Sequence, residues 1–244
     1  MLGRLGAILL AVVLSLSLTE AGAATLTVDT IDGTWGNSRT SPTNWGKLTG
    51  EGTSSIRWGV AASGNTTRSG YDFAQSGGIT QTGAGSFLLG RYTHTNGTIW
   101  TPSTNLKRSD LSLNLTGTAN GQAFSLASSF RFTHDETPNK GVCPRGTSRP
   151  CGDLITISQL TGAPLVITQG TTVFTILIDG FVRKLGGPII TSLLTPENRK
   201  RSLYLQASVQ VTTLPPPEVP LPAAAYLMAA GLGALALLRR RRRG

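Results

Sequence analysis

The alternation of apolar and polar residues over 24–213 constrains the fold of this 244-residue chain more than any other feature. Leu26 and Val28, for example, flank Thr27, and a period of two is typical of strands with one buried face. Clusters rich in Gly, Ser and Asn interrupt the alternation and predict turns. No segment in this range carries a convincing amphipathic-helix period. The sequence therefore predicts an all-β body.

The composition agrees with many short strands joined by turns. Charged residues make up 14% of the chain and glycine contributes 30 residues, which argues against a coiled coil. Besides the first strand, the predicted strands are 55–60, 87–94, 111–115, 123–134, 154–158, 173–181 and 203–211. We expect a β-sandwich of the jelly-roll or Greek-key type, and the periodicity is compatible with both.

The first 23 residues have the three parts of a secretory signal peptide. Arg4 precedes a largely apolar run of 14 residues, 5–18, and the small residues Ala21 and Ala23 follow it. The run is short for a membrane span, which needs about 20 apolar residues. We expect cleavage after Ala23 and export of the remainder.

An apolar stretch between a proline-rich linker and an arginine cluster ends the sequence. The linker, 214–222, contains prolines that favour an extended backbone. The 16 apolar residues 223–238 predict a transmembrane helix of about 24 Å, slightly shorter than the hydrocarbon core. The stop-transfer residues are Arg239, Arg240, Arg241, Arg242 and Arg243. By the positive-inside rule, 239–244 form a cytoplasmic tail and the body lies outside the cytoplasm.

Residues 219–244 resemble the PEP-CTERM class of C-terminal sorting signals. The motif residues Val219, Pro220, Leu221, Pro222 and Ala223 match its VPLPA variant letter for letter. The resemblance implies that an exosortase, a membrane-embedded cysteine protease, cuts near this motif. It also implies a Gram-negative bacterium that makes extracellular polysaccharide, and a protein that moves from the cell envelope to the surface or the matrix. A plain membrane anchor that is never cut is the alternative.

The net charge of +10 does not indicate nucleic-acid binding. Five of the 22 basic residues form the terminal arginine cluster, and 24–218 contain 16 basic and 11 acidic residues. These are scattered, whereas a nucleic-acid interface concentrates basic and aromatic residues on one face. We therefore expect no nucleic-acid partner.

Cys143 and Cys151 are the two cysteines of the chain, separated by seven residues. Such a pair in an exported protein is usually a disulfide. A metal or redox pair would be expected to show C-x-x-C spacing or nearby histidines. The sequence therefore predicts a structural disulfide.

Several segments of the body resemble the THxN family of sorted proteins, which is related to the choice-of-anchor domains. The family motif is Thr93-His94-Thr95-Asn96. Further similar segments are 56–59, 69–73, 134–139, Cys143 and 151–153. The resemblance covers most of 30–211 and implies a non-catalytic exported domain.

Two histidines, His94 and His134, each end a predicted strand. The period-two rule places His134 on the same face as Phe132, and His94 on the same face as Tyr92, so both imidazoles should point inward. One interpretation is a metal or ligand site. Its possible further members are Asp135, Glu136 and Asp153, with Asn96 and Asn139 if the ion is calcium. The other is structural: each histidine bonds backbone and orders a turn. We favour the structural interpretation and expect no bound metal or cofactor.

The sequence contains no G-x-S-x-G, P-loop or H-E-x-x-H motif, and we expect no catalytic residues. The alternative is a secreted hydrolase acting on matrix polysaccharide, which would need two converging carboxylates. Its candidates are Glu51, Asp72, Asp135, Glu136 and Asp153.

Tryptophans offer a further possibility, because indole rings stack on sugars as well as fill cores. They are Trp35, Trp45, Trp58 and Trp100. Polysaccharide is therefore a possible partner of the body.

Overall fold

The structure is a computed structural model, and it describes residues 23–62, 66–137, 143, 151–215 and 223–242. Most of the expected signal peptide, the motif residues 219–222 and Arg243 lie outside these ranges. The described residues form twelve strands and one helix. The strands are β1 (Thr25–Thr40), β2 (Ser55–Trp58), β3 (Ser69–Gln75), β4 (Ile79–Thr82), β5 (Gly85–Asn96), β6 (Leu106–Ala119), β7 (Gln122–Asp135), β8 (Asp153–Thr161), β9 (Leu165–Gln169), β10 (Thr172–Val182), β11 (Ser192–Thr195) and β12 (Arg199–Thr213). The helix is α1 (Ala223–Arg241).

The strands form two six-stranded antiparallel sheets, which confirms the predicted all-β class. The first sheet has the order β11-β8-β7-β6-β1-β4, and the second has the order β2-β3-β5-β12-β10-β9. Each predicted strand range lies within or largely overlaps an observed strand. Within the described part of 24–213 there is no helix, as expected from the period of two.

One hydrophobic core contains side chains from both sheets. At its centre, Trp35 of β1 lies 4.9 Å from Phe132 of β7 and 5.1 Å from Tyr71 of β3, measured between ring centroids. Tyr92 of β5 lies 4.7 Å from Phe132. Aromatic pairs at these distances contribute about 0.5–1.5 kcal/mol each beyond the burial of their area. These rings hold β5 and β7 in place next to the two histidines.

The predicted disulfide between Cys143 and Cys151 is confirmed, with the two Cα atoms 5.1 Å apart. Both cysteines are buried. Because Cys151 lies two residues before the start of β8, the bridge restrains the entry into that strand.

The prediction of a transmembrane helix over 223–238 is not supported. In the described part of the chain, no helix is both long enough and apolar enough to cross a membrane. The helix does form, but its last turn contains Arg239, Arg240 and Arg241. Cations near a helix C-terminus interact favourably with the helix dipole, so the arginines extend the helix rather than end it.

Candidate functional site

The two histidines face each other across the core from opposite sheets. His94 lies on β5, opposite Tyr71 of β3, and His134 lies on β7, opposite Ile155 of β8. Their ring centroids are 5.2 Å apart and the ring planes make an angle of 84°. Both histidines are buried, so the inward orientation expected from the period of two is confirmed.

His134 is held by side chains and not by the backbone contacts of the structural interpretation. Its Nδ1 lies 2.6 Å from the hydroxyl oxygen of Tyr71. Its Nε2 lies 3.2 Å from Oε2 of Glu136 and 3.4 Å from Oδ2 of Asp153. The imidazole therefore connects a tyrosine of one sheet with two carboxylates near the ends of β7 and β8.

Asp153 is fixed from the opposite side by the segment that follows β7. The backbone N–H of Thr137 donates to Oδ1 of Asp153 at 2.9 Å, and the Thr137 hydroxyl donates to the same oxygen at 3.2 Å. The second oxygen, Oδ2, makes the 3.4 Å ion-pair contact with His134 but no hydrogen bond of good geometry to any described residue. One oxygen thus positions the carboxylate, and the other points into the cluster.

His94 differs from His134 because neither ring nitrogen has a hydrogen-bond partner among the described residues. Its ring stacks on Trp58, with the centroids 6.2 Å apart and the planes 9° from parallel. A buried polar atom without a partner costs about 1–3 kcal/mol. The structure therefore buries a polar side chain whose hydrogen-bonding capacity is unused.

Burial and charge move the pKa values of the two imidazoles in opposite directions. Burial lowers the pKa of His94 well below its ordinary value, and the nearby His134 lowers it further. Burial also opposes the charged form of His134, but the close carboxylates of Asp153, at 3.4 Å, and Glu136, at 3.2 Å, outweigh it and raise the pKa to about 9. At neutral pH His94 is uncharged and His134 is an imidazolium ion.

Glu136 follows β7 and belongs to the same cluster. Its Oε2 accepts a 3.4 Å hydrogen bond from Nε1 of Trp58, in addition to its contact with His134. Burial raises the pKa of Glu136 above its usual value. The period of two that places Phe132 and His134 inward also places position 136 inward, and this pattern predicts Glu136 on the same face as the histidine.

A third carboxylate, Glu197, lies nearby. Burial raises its pKa to about 7, and the charges of Asp153 and Glu136 raise it in the same direction.

Asn96, the last residue of the segment Thr93-His94-Thr95-Asn96, is buried and donates from Nδ2 to the Thr195 carbonyl at 2.9 Å. Its Oδ1 accepts no hydrogen bond from the described residues. Asn96, two residues after His94, also lines a surface pocket with Thr95 and Asn198.

Three of these side chains have the arrangement of a metal site. One ligand atom each from His94, His134 and Asp153 lies within 4.8 Å of the other two, and all three residues are buried. Of the acidic candidates named from the sequence, Asp153 is a member of this group, whereas Asp135 lies exposed on β7 and is not. Thr93 also points away, with its hydroxyl 2.9 Å from that of Ser202.

The carboxylates considered for hydrolysis are distributed over different environments. Asp72 accepts hydrogen bonds from Ser55 and Arg57, both at 2.7 Å. Glu51 lies on an exposed turn, where it accepts from the N–H of Ser38. Glu136 and Asp153 do converge, but on a buried histidine, and their side chains are only 6% and 0% exposed.

The four tryptophans separate into two pairs. Trp35 and Trp58 are fully buried, whereas Trp45 and Trp100 are 48% and 45% exposed. The loops that carry the exposed pair are joined, because the N–H of Thr104 donates to the Trp45 carbonyl at 2.8 Å and the N–H of Ser103 donates to the Trp100 carbonyl at 2.7 Å. Two exposed indoles therefore lie on connected loops.

No model of a known protein family matches the chain, and no curated protein matches its sequence. The roles of the cluster residues therefore rest on their geometry. Sequence reasoning missed Tyr71 and Trp58 as members of this cluster, because nothing in the linear sequence indicates that β2 and β3 face the end of β7.

Proposed function

We propose that this protein is an exported, non-catalytic surface or extracellular-matrix protein of the THxN type, sorted by an exosortase through residues 219–244. In this proposal the signal peptide directs export, and the tail brings the protein to the envelope for cleavage near the VPLPA motif. The β body is then delivered to the surface or the matrix.

The observation that carries this proposal is the contrast between a body with a large buried hydrophobic core and a helix, α1, on which four large apolar side chains are exposed. The last strand ends at Thr213, and the core draws on both sheets. On α1, the exposed fractions of Met228, Leu232, Leu235 and Leu238 are 67%, 64%, 64% and 59%. An apolar helix that leaves such side chains outside the core is suited to an envelope partner, which we take to be the membrane and its exosortase.

The sorting proposal is tested in a host that contains an exosortase and in the same host without it. We expect a shortened form at the surface or in the medium in the first host, and a longer envelope-bound form in the second. Scrambling 219–222 should abolish the shortening, and deleting 219–244 should release the protein from the envelope. Substituting Pro215, Pro216 and Pro217 by serine, upstream of the motif, is the matched control. Identical size and fractionation of the scrambled variant and the wild type would refute the proposal.

The alternative is a secreted hydrolase of matrix polysaccharide. A hydrolase of this kind needs its carboxylate pair open to a polysaccharide chain. The burial of Glu136 and Asp153 supports the non-catalytic proposal over this one. Release of reducing ends from host exopolysaccharide by the purified protein, lost in Glu136→Gln, would favour the hydrolase.

Polysaccharide binding is a second candidate function, supported by the exposed indoles of Trp45 and Trp100. Exposed aromatic faces on connected loops suit stacking on sugar rings. A glycan array on wild type and on the Trp45→Ala/Trp100→Ala double variant tests this function. Loss of a bound glycan in that variant supports it, provided that Leu160→Ala, which changes an exposed apolar residue elsewhere, retains binding. Equal binding by all three proteins would exclude these indoles.

We also propose that the two sheets form a β-sandwich with Greek-key or jelly-roll connections. Consecutive strands β5 and β6 lie in different sheets, while β1 pairs with β6 and β12 pairs with β5. Such pairings between strands distant in sequence are typical of these paths. An experimental structure of the body tests this assignment.

A further inference from the structure

The cluster between the sheets combines a buried histidine that has no hydrogen-bond partner among the described residues with a carboxylate, Asp153, that has a ligand atom within 4.8 Å of it. His94 is fully buried, and neither nitrogen is hydrogen-bonded within the described ranges. Oδ2 of Asp153 likewise lacks a hydrogen bond there. In native proteins most buried polar side-chain atoms have partners, and an exception requires an explanation.

We propose that His94, His134 and Asp153 bind a divalent transition-metal ion of the zinc class, which takes the place of the Nε2 proton of His134 as that proton is released to solvent. A metal ion accounts for the orphaned atoms, because it would accept the lone pair of one His94 nitrogen and the free oxygen of Asp153. A purely structural polar network does not account for them, because it leaves both ring nitrogens of His94 without a hydrogen-bond partner among the described residues.

The spacing and chemistry of the ligand atoms decide the class of ion. The three atoms lie within 4.8 Å of one another, and Zn²⁺ bonds of about 2.0–2.2 Å in a tetrahedron require separations of about 3.4 Å. Small side-chain movements therefore bring them into range. Two imidazole nitrogens with carboxylate oxygens suit zinc and neighbouring first-row ions, whereas calcium takes oxygen ligands.

Supporting residues hold these ligands as a metal site requires. Tyr71 contacts Nδ1 of His134 at 2.6 Å, which directs Nε2 toward the carboxylates. Thr137 donates to Oδ1 of Asp153 and leaves Oδ2 for the ion. Hydrogen bonds to the ligand side chains orient them toward the ion, and the loss of such bonds costs about 10–100-fold in metal affinity.

The position of the site indicates a structural role for the ion. His94 belongs to β5 in one sheet, whereas His134 and Asp153 belong to β7 and β8 in the other. An ion bound by all three would join the two sheets at the end where Cys151 restrains β8. An ion that binds the folded state alone stabilises that state.

The test uses purified protein without a histidine tag, stripped with a chelator and titrated with Zn²⁺. The sequence contains two histidines, so bound imidazole can only come from this cluster. We expect about one ion per chain and an increase of several degrees in the unfolding temperature. His94→Gln and Asp153→Asn should each weaken Zn²⁺ binding at least 100-fold. Asp110→Asn, which changes a buried carboxylate bound by Arg131 outside the cluster, should bind as the wild type does.

A second measurement does not depend on whether the variants fold. Co²⁺ in the wild type should give the strong visible absorption of a four-coordinate site, and X-ray absorption of the Zn²⁺ form should show two imidazole ligands. No stoichiometric binding by the stripped, folded wild type would overturn the proposal. The same holds if the bound ion lacks imidazole ligands, or if folded His94→Gln binds as tightly as the wild type.

Discussion

The hydroxyl of Tyr71 and Nδ1 of His134 lie 2.6 Å apart, and this contact joins the two sheets through a hydrogen bond. Tyr71 belongs to β3 in one sheet and His134 to β7 in the other. Both side chains are buried, so water does not compete for the bond. The bond thereby orients the imidazole within the core.

Tyr71→Phe should destabilise the protein by about 1–3 kcal/mol, because it removes the hydrogen-bond partner of Nδ1 of His134, a buried polar atom. The phenyl ring preserves the packing on Trp35 and Trp58. Urea unfolding at pH 7, followed by circular dichroism, measures the difference in the free energy of unfolding. Tyr204→Phe is the matched control, since the hydroxyl of this half-buried tyrosine has no hydrogen bond among the described residues. Equal losses in the two variants would contradict the proposed importance of the bond.

Replacing the disulfide in Cys143→Ala/Cys151→Ala should cost about 2.5 kcal/mol, because closing this short loop removes chain entropy from the unfolded state. The effect should also reach the cluster, since the bridge precedes Asp153 by two residues. Denaturant unfolding with and without a reducing agent measures it. The reductant should lower the stability of the wild type and leave the double variant unchanged. An unchanged free energy of unfolding, in a wild type whose thiols are shown to be reduced, would rule out this contribution.

The strands that the sequence predicted are those with several alternating apolar residues, such as β7 with Leu126, Phe130 and Phe132 on its buried face. Strands β4, β9 and β11 were not predicted. All three lie at sheet edges and are four or five residues long, so few of their positions alternate between core and solvent. β3 was also missed, because buried Ser69 and Gly70 interrupt its apolar pattern. Pairing between distant strands is a tertiary property that the local period does not encode.

Glu197→Gln should make the stripped protein more stable than the wild type as the pH rises from about 4.5 to about 7. Burial raises the pKa of Glu197 to about 7. The protonated carboxyl of Glu197 therefore contributes its full stability to the wild type below the unfolded pKa, and this stability is lost as the pH rises and the carboxyl ionises in the folded protein. The glutamine variant lacks this loss. Allowing for solvent screening, we expect a difference of roughly 1–2 kcal/mol above pH 7.

Thermal unfolding of both proteins across pH 4–8, in the presence of a chelator, measures this difference. Glu51→Gln, on an exposed turn, controls for the change in net charge. Parallel stability curves of Glu197→Gln and the wild type would show that Glu197 does not carry the pH dependence.

Half of the candidate site could be predicted from the sequence. The period of two placed His94 and His134 inward, but it does not determine which strands meet across a core. Asp135, Glu136 and Asp153 were the acidic candidates, and the same period directs Asp135 to the outer face and Glu136 to the inner one. Asp153 is separated from His134 by the disulfide loop, and its proximity follows from the antiparallel pairing of β7 with β8.

Gly59 follows β2 and positions Trp58 against His94. Gly59 has φ of +73°, and a Cβ at this position would lie 2.7 Å from Cδ1 of Ile99. Gly59→Ala therefore combines a left-handed backbone, costing about 1–2 kcal/mol, with a clash against a buried side chain. Gly52→Ala is the matched control, because Gly52 has φ of +81° and no atom within 4 Å of the added Cβ.

We expect Gly59→Ala to lose about 1–3 kcal/mol more than Gly52→Ala, which isolates the steric contribution from the backbone strain. Urea unfolding measures the loss, and near-ultraviolet circular dichroism reports the environment of Trp58. Because Trp58 stacks on His94 and donates to Glu136, Gly59→Ala should change this spectrum while Gly52→Ala preserves it. Equal losses in the two variants, with both spectra like that of the wild type, would show that Ile99 yields without moving Trp58.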